Sequence, residues 1–401
     1  MEIFNIKNEF GFELEDLFYI GKRVNNSKRN FLFISKLLGK HIPVNPDVCK
    51  VTGHLLTSLC YEGLDQDTLV KYLKGYDVKV NLYDCVEPSG NVLVVGFAET
   101  ATGLGMSVAS AIKGCVYYST TRESFADKDF LFSFEEEHSH ATTHKCYDIL
   151  RTDFSDVSEI VLVDDEITTG NSMLNLIRQL HKLSGVSKYK VLSILDWRGD
   201  FYKSKYVEVE KELGVSIEVF SILSGEINND DSTVFEVDEG SIPCIEGSST
   251  TNLVNGIFKR TFSEGKVYYR YSGRFGVFYD DIQNLEEDAL ISAMELKEYL
   301  DSQDFNGRIL ILSEGENIYI PSRIASYLNK CYDVEFKSTT RSPIYCDGEI
   351  IKDRYKYEGM SGVEYNLYNK SEVESEYDLV LYIQEIPTGV KITSNSVSVC
   401  L

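Results

Sequence analysis

The sequence predicts an α/β protein with a parallel β-sheet flanked by helices, followed by a second α/β domain. Ile160–Val163 are four consecutive apolar residues, three of them β-branched, which is typical of a buried strand. A polar loop follows, and apolar residues then recur at helical spacing from Met173 to Leu180. Asn91–Gly96 is a second apolar run, which ends in a Gly/Ala/Thr-rich turn before another helical pattern. Strands that alternate with helices in this way favour a parallel sheet.

Two carboxylates, Asp164 and Asp165, and a Thr/Gly/Asn/Ser loop separate the first strand from its helix. In an open α/β sheet, ligands bind beyond the carboxyl ends of the strands. Backbone N–H groups at a helix N-terminus bind phosphate, and Thr and Ser hydroxyls add donors. We therefore interpret the loop as a phosphate site beside two acids that suit ribose hydroxyls or a Mg²⁺ ion. The alternative is an ordinary strand–turn–helix with an N-cap.

Composition limits the possible partners and the compartment. A chain of 401 residues predicts two domains by default. The 63 acidic and 40 basic residues give a net charge of -23, which argues against nucleic acid or an anionic membrane as partner. Nine cysteines without a CxxC pair indicate a reducing cytosol. No apolar run approaches a membrane span, and the N-terminus lacks signal-peptide features, so we expect a cytoplasmic protein.

The stretch Ile160–Ser172 resembles the phosphoribosyl-pyrophosphate (PRPP) motif of type I phosphoribosyltransferases: four apolar residues, two acids, two variable residues and Thr-Thr-Gly-x-Ser. The resemblance implies the type I phosphoribosyltransferase fold, with Asp164 and Asp165 binding the ribose hydroxyls and Mg²⁺. Glu166 departs from the apolar residue that is usual there. The residues that the resemblance assigns to the 5′-phosphate are Thr168, Thr169, Gly170, Asn171 and Ser172.

The turn after Asn91–Gly96 falls where this family has its pyrophosphate loop. Glu99 is unusual for such a site, and it could hold Mg²⁺ or a basic side chain. Arg122 ends the next predicted strand, where its planar donors would match phosphate oxygens, unless it is a surface arginine. The residues expected to form the loop are Gly96, Phe97, Ala98, Glu99 and Thr100.

Residues 123–143 lack clean periodicity, and the resemblance implies a hood that closes over PRPP. His138 and His140 lie in it and are candidates for contacts with substrate or pyrophosphate. With His144 they also form an HxHxxxH pattern, which leaves a metal site open, as well as an inert polar loop.

The densest basic cluster runs from Gly21 to Pro43. It resembles the N-terminal part of a phosphoribosyltransferase subfamily found in bacterial tellurium-resistance gene clusters, which has a Ser-Lys-x-Leu-Gly-Lys-His-x-Pro motif. The resemblance favours a cap over the active site; the alternative is a solvated basic face. Thr340–Pro343 reads Thr-Arg-Ser-Pro, the tetrapeptide of the TRSP domain that accompanies this subfamily. The candidate substrate-binding residues of the basic cluster are Lys36, Lys40 and His41.

The predicted domains are a phosphoribosyltransferase domain with the basic cap over residues 1–227, a polar linker over 228–252, and a TRSP domain over 253–401. Ser-Thr-Thr-Arg occurs twice, ending at Arg122 and Arg341. Glu166 and Glu385 each follow their arginine by 44 residues, which aligns Asp-Asp-Glu-Ile-Thr-Thr-Gly with Ile-Gln-Glu-Ile-Pro-Thr-Gly. Chance similarity is the alternative to a degenerate duplicate that has lost both aspartates.

We therefore expect a Mg²⁺-dependent phosphoribosyltransferase that acts on PRPP and a base-like acceptor. A non-catalytic sensor of PRPP or a nucleotide is an alternative, and so is a PRPP-forming kinase, although no nucleotide-phosphate motif is present. A tandem duplicate could act as a pseudo-dimer within one chain, or the protein could be a homodimer. In the first case Arg341 or Arg274 would contribute to a composite active site; alternatively, Arg341 pairs with an acid of its own domain.

Overall fold

The structure, a computed structural model, describes residues 2–26, 29–124, 130–135, 143–150, 152–229, 231–248, 252–254, 273–359 and 362–401. The helices are α1 Leu14–Leu17, α2 Val48–Ser58, α3 Gln66–Leu73, α4 Ala101–Ser110, α5 Asn171–Ser184, α6 Asp200–Leu213, α7 Tyr279–Ser302, α8 Tyr319–Leu328 and α9 Lys370–Glu376. The strands are β1 Glu2–Lys7, β2 Phe18–Lys22, β3 Phe31–Ser35, β4 Val92–Gly96, β5 Val116–Ser119, β6 Phe130–Glu135, β7 Thr143–Tyr147, β8 Glu159–Ile167, β9 Lys188–Asp196, β10 Ser216–Asn228, β11 Asn252–Val254, β12 Gly276–Phe278, β13 Arg308–Ser313, β14 Asp333–Ser338, β15 Arg354–Glu358, β16 Glu364–Tyr368, β17 Leu379–Gln384 and β18 Ser396–Cys400.

The chain divides into two compact units. The first comprises Met1–Asp16, Cys49–Asp231 and Arg274–Ile282, and the second comprises Leu17–Val48, Ser232–Gly273 and Gln283–Leu401. This division differs in two places from the domains predicted from sequence. The basic segment 17–48 packs with the second unit, and a short segment after Gly273 packs with the first. In both cases a segment packs with residues that lie far from it in sequence. Local composition does not reveal such long-range packing.

The first unit contains a seven-stranded sheet in the order β1-β10-β9-β8-β4-β5-β12. The five central strands are mutually parallel, and β1 and β12 pair antiparallel at the two edges. Ile160–Val163 are fully buried because helices cover both faces of a parallel sheet. The predicted α/β class with a parallel sheet is confirmed, and a second α/β unit follows it.

Close approach of a strand and a helix fixes the start of α4. A Cβ atom added to Gly105 would lie 2.8 Å from the Cα atom of Gly96, so neither position accepts a side chain without displacement. The first turn of α4 is thereby held against the end of β4, where the predicted pyrophosphate loop begins.

Two local predictions differ from the structure. Strand β8 continues through both aspartates to Ile167, whereas the sequence suggested that the strand stops before the acids. The reason is that β9 pairs with β8 as far as Ile167 and extends its ladder. In the segment predicted to be irregular, β6 and β7 form an antiparallel hairpin, while residues 125–129 and 136–142 lie outside the described part of the chain.

The second unit contains a five-stranded sheet in the order β11-β18-β17-β13-β14, in which all neighbours are parallel. Helix α8 connects β13 to β14 as α4 connects β4 to β5. The antiparallel hairpin β15–β16 lies between β14 and β17 in the chain, where the first unit has β6–β7. Within the described residues, no helix lies between β17 and β18, although α5 occupies the corresponding place in the first unit.

The same pattern of hydrogen bonds occurs within each of the two units. In each unit, the threonine after the second of these sheet strands (β5 or β14) forms hydrogen bonds with the end of the first strand (β4 or β13) and with the loop that follows it. The next threonine pairs with the second strand of the hairpin (β7 or β16). In the first unit the bonds are Thr120 N to Gly96 O (2.9 Å), Ala98 N to Thr120 Oγ1 (2.8 Å) and Thr121 N to Lys145 O (2.7 Å). In the second they are Thr339 N to Ser313 O (2.9 Å), Gly315 N to Thr339 Oγ1 (3.1 Å) and Thr340 N to Asn366 O (3.1 Å).

Strand register corrects the sequence alignment of the repeat by one residue. Gly96 pairs with Val163 in the first unit, and the equivalent Ser313 pairs with Ile383 in the second. The connection from Arg341 to the next sheet strand is therefore one residue longer than its counterpart, and the second copy retains one carboxylate. The equivalent positions are Asp164 and Gln384, and Asp165 and Glu385.

None of the helices that the structure describes is both long and apolar enough to cross a bilayer. All nine cysteines are free thiols, as expected from the absence of a CxxC pair.

Candidate functional site

The acid pair lies at the carboxyl edge of the first sheet. Asp164 and Asp165 lie in the second half of β8 and are half-buried. Asp164 Oδ1 accepts a hydrogen bond from the backbone N–H of Asp165 at 2.9 Å, which fixes the orientation of that carboxylate. Because the central strands are parallel, their carboxyl ends meet at this edge. The acids are therefore accessible at the point where a ligand would bind.

The predicted phosphate loop connects β8 to α5. Gly170 immediately precedes the helix with φ 71°, a left-handed conformation that favours glycine. Its carbonyl oxygen accepts the first helical bond, from Leu174 N at 3.1 Å. The N-cap residue Gly170 has no side chain to cap the helix, and the first helical N–H, that of Asn171, donates to Thr169 Oγ1 at 3.4 Å. The first-turn N–H groups and the Thr168, Thr169 and Ser172 hydroxyls are thus suited to an anion.

Residues that sequence reasoning missed support this loop. Tyr206 of α6 donates its hydroxyl hydrogen to the carbonyl oxygen of Gly170 at 3.2 Å. The guanidinium of Arg198 lies 4.0 Å from the centre of the Tyr206 ring. Burial alone would lower the pKa of Arg198, but two hydrogen bonds to Asp196, at 2.9 and 2.8 Å, outweigh it and raise that pKa.

Asp196 ends β9, the strand next to β8. Its position at the carboxyl end of a predicted strand could have identified it from the sequence as a residue near the site. Tyr206 had no such signal because it is one of several aromatic residues in an amphipathic helix. Lys205, its neighbour, places Nζ 3.4 Å from Asn171 Oδ1 and adds a positive charge near the loop.

The predicted pyrophosphate loop connects β4 to α4. Phe97 N donates to Val163 O at 3.0 Å, which attaches this loop to the strand that carries the acid pair. The Ala98–Glu99 peptide bond is cis, and Glu99 is buried. Thr100, the N-cap residue of α4, makes no side-chain cap bond. His144, which is fully buried, places Nδ1 3.0 Å from Thr120 Oγ1, so this histidine of the HxHxxxH pattern supports the loop.

Arg122 follows β5 at the same edge and is half-buried. The next residue, Glu123, is 3% exposed and forms an ion pair with Arg274 at 3.0 Å. Arg274 also stacks on Phe275, 3.9 Å from the ring centre, and its carbonyl oxygen accepts a hydrogen bond from Ser119 Oγ. Arg274 therefore belongs to the first unit, although it lies in the part of the sequence predicted as the second domain.

The other predicted substrate-binding residues belong to the second unit or fall outside the described ranges. Lys36, Lys40, His41 and Arg341 belong to the second unit. Lys36 Nζ lies 3.8 Å from the centre of the Tyr19 ring. Burial, together with the nearby Lys40 and Lys337, holds the pKa of His41 well below its ordinary value. Substrate binding by these residues stays a prediction; His138 and His140 fall in the segment that is not described.

The donor set fits Mg²⁺ bound together with a phosphorylated substrate. Among the residues that the structure describes, no group of three His, Cys, Asp or Glu side chains could hold a metal on its own. Mg²⁺ commonly binds through one or two carboxylates plus substrate phosphates and water. Asp164 and Asp165 provide such carboxylates.

Comparison with known proteins agrees with these features. A family model described as "Phosphoribosyl transferase" matches residues 17–226, and one described as "TRSP domain C terminus to PRTase_2" matches residues 271–391. A search of curated proteins gives no match.

The solved structures that resemble the chain include adenine phosphoribosyltransferases. The Trypanosoma brucei enzyme is 15% identical, with a TM-score of 0.35, over 55% of this chain and 86% of that one. The Giardia lamblia enzyme is 15% identical, with a TM-score of 0.31, over 52% and 94%. At these TM-scores the likeness carries no argument of its own. Because the first family model covers more than half of the chain, the protein belongs to the phosphoribosyltransferase family, with a TRSP domain after the catalytic region.

Proposed function

We propose that the first unit transfers ribose 5-phosphate between PRPP and a nitrogenous base or a related acceptor, with Mg²⁺ as cofactor. One observation carries the proposal. The N-termini of α4 and α5, whose N-cap residues make no side-chain cap bond, lie with the pair Asp164 and Asp165 at the carboxyl edge of one sheet. PRPP carries a phosphate at one end of its ribose and a pyrophosphate at the other. Two anion sites on either side of a diol site would match that arrangement.

The first turn of α5 and the Thr168 and Ser172 hydroxyls would bind the 5′-phosphate. Asp164 and Asp165 would accept hydrogen bonds from the ribose hydroxyls. The 96–100 loop and Arg122 would bind the pyrophosphate. Each interaction pairs a donor with an anion or a carboxylate with a hydroxyl, and such charge-assisted bonds are stronger than neutral ones.

In the reaction, the bond between ribose C1′ and a pyrophosphate oxygen breaks, and that oxygen keeps the electron pair. A bond then forms between C1′ and the acceptor nitrogen, and the proton of that N–H leaves to solvent or to the released pyrophosphate. By analogy with other glycosyl transfers, the transition state resembles an oxocarbenium ion. Arg122 and the backbone N–H groups of the 96–100 loop would stabilise the charge that develops on pyrophosphate. Mg²⁺, which Asp164 and Asp165 would hold, neutralises phosphate charge when bound.

The direct test is to incubate the protein with PRPP, Mg²⁺ and each of a panel of bases, and to measure pyrophosphate release. Release that depends on one base and on Mg²⁺ supports the proposal. Tight PRPP binding without release with any acceptor would instead support a PRPP sensor. Absence of both binding and release would contradict both functions.

Replacing Gly170 by Ala is expected to weaken PRPP binding by about tenfold or more, roughly 1.4 kcal/mol. A Cβ atom there would lie 2.4 Å from the Tyr206 hydroxyl, and φ 71° is unfavourable for alanine. The loop should shift away from its position over α5. The KM for PRPP measures the effect of the displaced loop on binding, and the urea midpoint measures the effect of the unfavourable backbone conformation on stability.

Gly185→Ala is the matched control. Gly185 follows the other end of α5 with φ 67°, and a Cβ atom there meets nothing within 4 Å. This variant has the same backbone penalty, about 1 kcal/mol, without the collision. It should lose stability and keep its KM for PRPP. Equal KM changes in the two variants would show that the Gly170 loop does not bind PRPP.

We also propose that Arg274 is a positioning residue for Arg122. By pairing with the buried Glu123, Arg274 prevents that carboxylate from competing with pyrophosphate for Arg122. Arg274→Met should lower turnover and cost about 3 kcal/mol of stability, because a buried charge loses its partner. The double variant Glu123→Gln/Arg274→Met should recover most of the lost turnover and most of the lost stability.

Turnover and urea unfolding of the single and double variants test this role. A double variant that is stable but inactive would mean that Arg274 contacts substrate itself. Arg178→Met serves as a control, since the Arg178–Glu212 pair is exposed and its loss should barely move either quantity.

A further inference from the structure

The β13–α8 connection of the second unit contains buried polar groups without hydrogen-bond partners. It corresponds to the 96–100 loop of the first unit, as the matched bonds of Thr339 and Thr120 indicate. Ser313, Asn317 and Ser338 are each at most 2% exposed. Neither serine hydroxyl, nor either polar atom of the Asn317 carboxamide, has a partner in the structure.

The two serines lie side by side under α8. Ser313 and Ser338 are register partners on neighbouring parallel strands, about 4.8 Å apart in such a sheet. Leu310 and Leu312 face the cluster around Tyr357 and Tyr382, so alternation turns Ser313 to the opposite face. Helix α8 packs against β13 and β14, and none of its residues belongs to the Tyr357 and Tyr382 cluster, which indicates that it covers the opposite face.

Helix α8 begins at Tyr319, a short loop after Ser313 at the end of β13. Asn317 directly precedes Ile318, the N-cap residue, and no side chain caps the helix. The first helical bond in this turn runs from Ser322 N to Ile318 O, and Pro321 has no N–H, so the first turn of α8 contains two N–H groups without a helical bond. Leaving a buried donor or acceptor unsatisfied costs about 1–3 kcal/mol. Several such groups at one point indicate a ligand rather than a packing solution.

The charges in this region also fit an anion. The Glu314 carboxylate is turned to the other face, where it accepts a hydrogen bond from the Tyr382 hydroxyl at 2.5 Å. Ser338 N donates to Gly39 O at 2.6 Å, which brings the buried Lys40, the next residue, to this end of β14. Glu316 in the same loop is also buried, and the positive end of the α8 dipole favours a negative charge at this point.

We propose that the second unit binds a phosphoryl group at the N-terminus of α8, between Ser313, Ser338 and Asn317. The occupant is phosphate or pyrophosphate, free or as part of a small molecule, and not PRPP held as in the first unit. The reason is that no helix lies between β17 and β18 in the described chain, so the second unit has no counterpart of the α5 phosphate site. Because the groups are buried, the ion enters when the 313–317 loop opens.

Hydrogen exchange of the full chain, followed by mass spectrometry, tests the proposal with inorganic phosphate and pyrophosphate as probes. Chloride at equal ionic strength is the reference. Peptides from 313–322 should exchange about fivefold more slowly at a probe concentration of four times the Kd, because ligand binding opposes local opening. Unchanged exchange in 313–322 at millimolar concentrations of both probes would overturn the proposal.

Asn317→Asp has nearly the same volume but places a negative charge in the site. It should abolish the protection of 313–322 and keep any protection of 168–176 in the first unit. If its melting temperature falls, Ser313→Ala/Ser338→Ala is the second variant, with Ser326→Ala in the same helix as control. Protection that persists in these variants would refute the site. Protection of 168–176 reports on the first unit alone. Failure of the proposed transferase function can therefore be distinguished from failure of the phosphoryl site in the second unit.

Discussion

Asp165→Asn is expected to reduce kcat/KM for PRPP by at least about 100-fold, equivalent to roughly 2.7 kcal/mol. The substitution keeps the size of the side chain and removes its negative charge. An oxocarbenium-like ribose in the transition state gains more from a nearby carboxylate than the uncharged ribose ring of bound PRPP does, so the loss should fall mainly on kcat. Asp165 is half-buried and has its backbone N–H bonded to Asp164 Oδ1, a contact that the variant retains.

Pyrophosphate release with the identified acceptor measures the effect, and thermal unfolding checks the fold. Asp156→Asn is the matched control, because Asp156 is an exposed carboxylate of the same unit and away from the sheet edge. It should leave both quantities unchanged. Normal turnover by Asp165→Asn would falsify the assignment of the acid pair to the ribose site.

Arg323→Met is expected to cost about 4–5 kcal/mol of stability in the second unit, at the upper end for a broken buried ion pair. Arg323 is 2% exposed and bonds Glu286 at 3.0 Å and Asp47 at 3.0 Å. Burial alone would lower the pKa of Arg323, but attraction to Glu286 and its neighbours outweighs this and raises it. Tyr319 and Tyr327 also donate to Glu286, at 2.6 and 2.9 Å.

Removing the arginine leaves two carboxylates, one of them deeply buried, without their cation. Urea unfolding followed by a probe in the second unit measures the loss. Lys297→Met is the control, since its pair with Asp301 on the exposed side of α7 should contribute little. A similar urea midpoint for both variants would show that the network does not stabilise this unit. Because Asp47 comes from the basic N-terminal segment, a large effect would also establish that this segment folds with the second unit.

The local features of the site could be predicted from the sequence. Apolar runs identified β4 and β8, and the Thr/Gly/Asn/Ser loop before a helical pattern identified the start of α5. Each of these signals is a pattern over neighbouring residues, because burial and helix termination act on consecutive positions. The repeated Ser-Thr-Thr-Arg likewise indicated a second copy, and the matched sheet order and hydrogen bonds support it.

Only the tertiary structure decided which distant segments meet. Arg274 and Glu123 form a buried pair across 151 positions, and Arg323 and Asp47 across 276. The register of β13 and β17 likewise moved the alignment of the repeat by one residue. The sequence pattern could not show this shift, because the connection that contains the hairpin differs in length between the two units. Such pairings depend on complementary charge and shape between segments whose separation in sequence carries no information about their distance in space. The sequence by itself determined the strands, the acids and the loop predicted to bind phosphate, whereas the structure determined which residues support them.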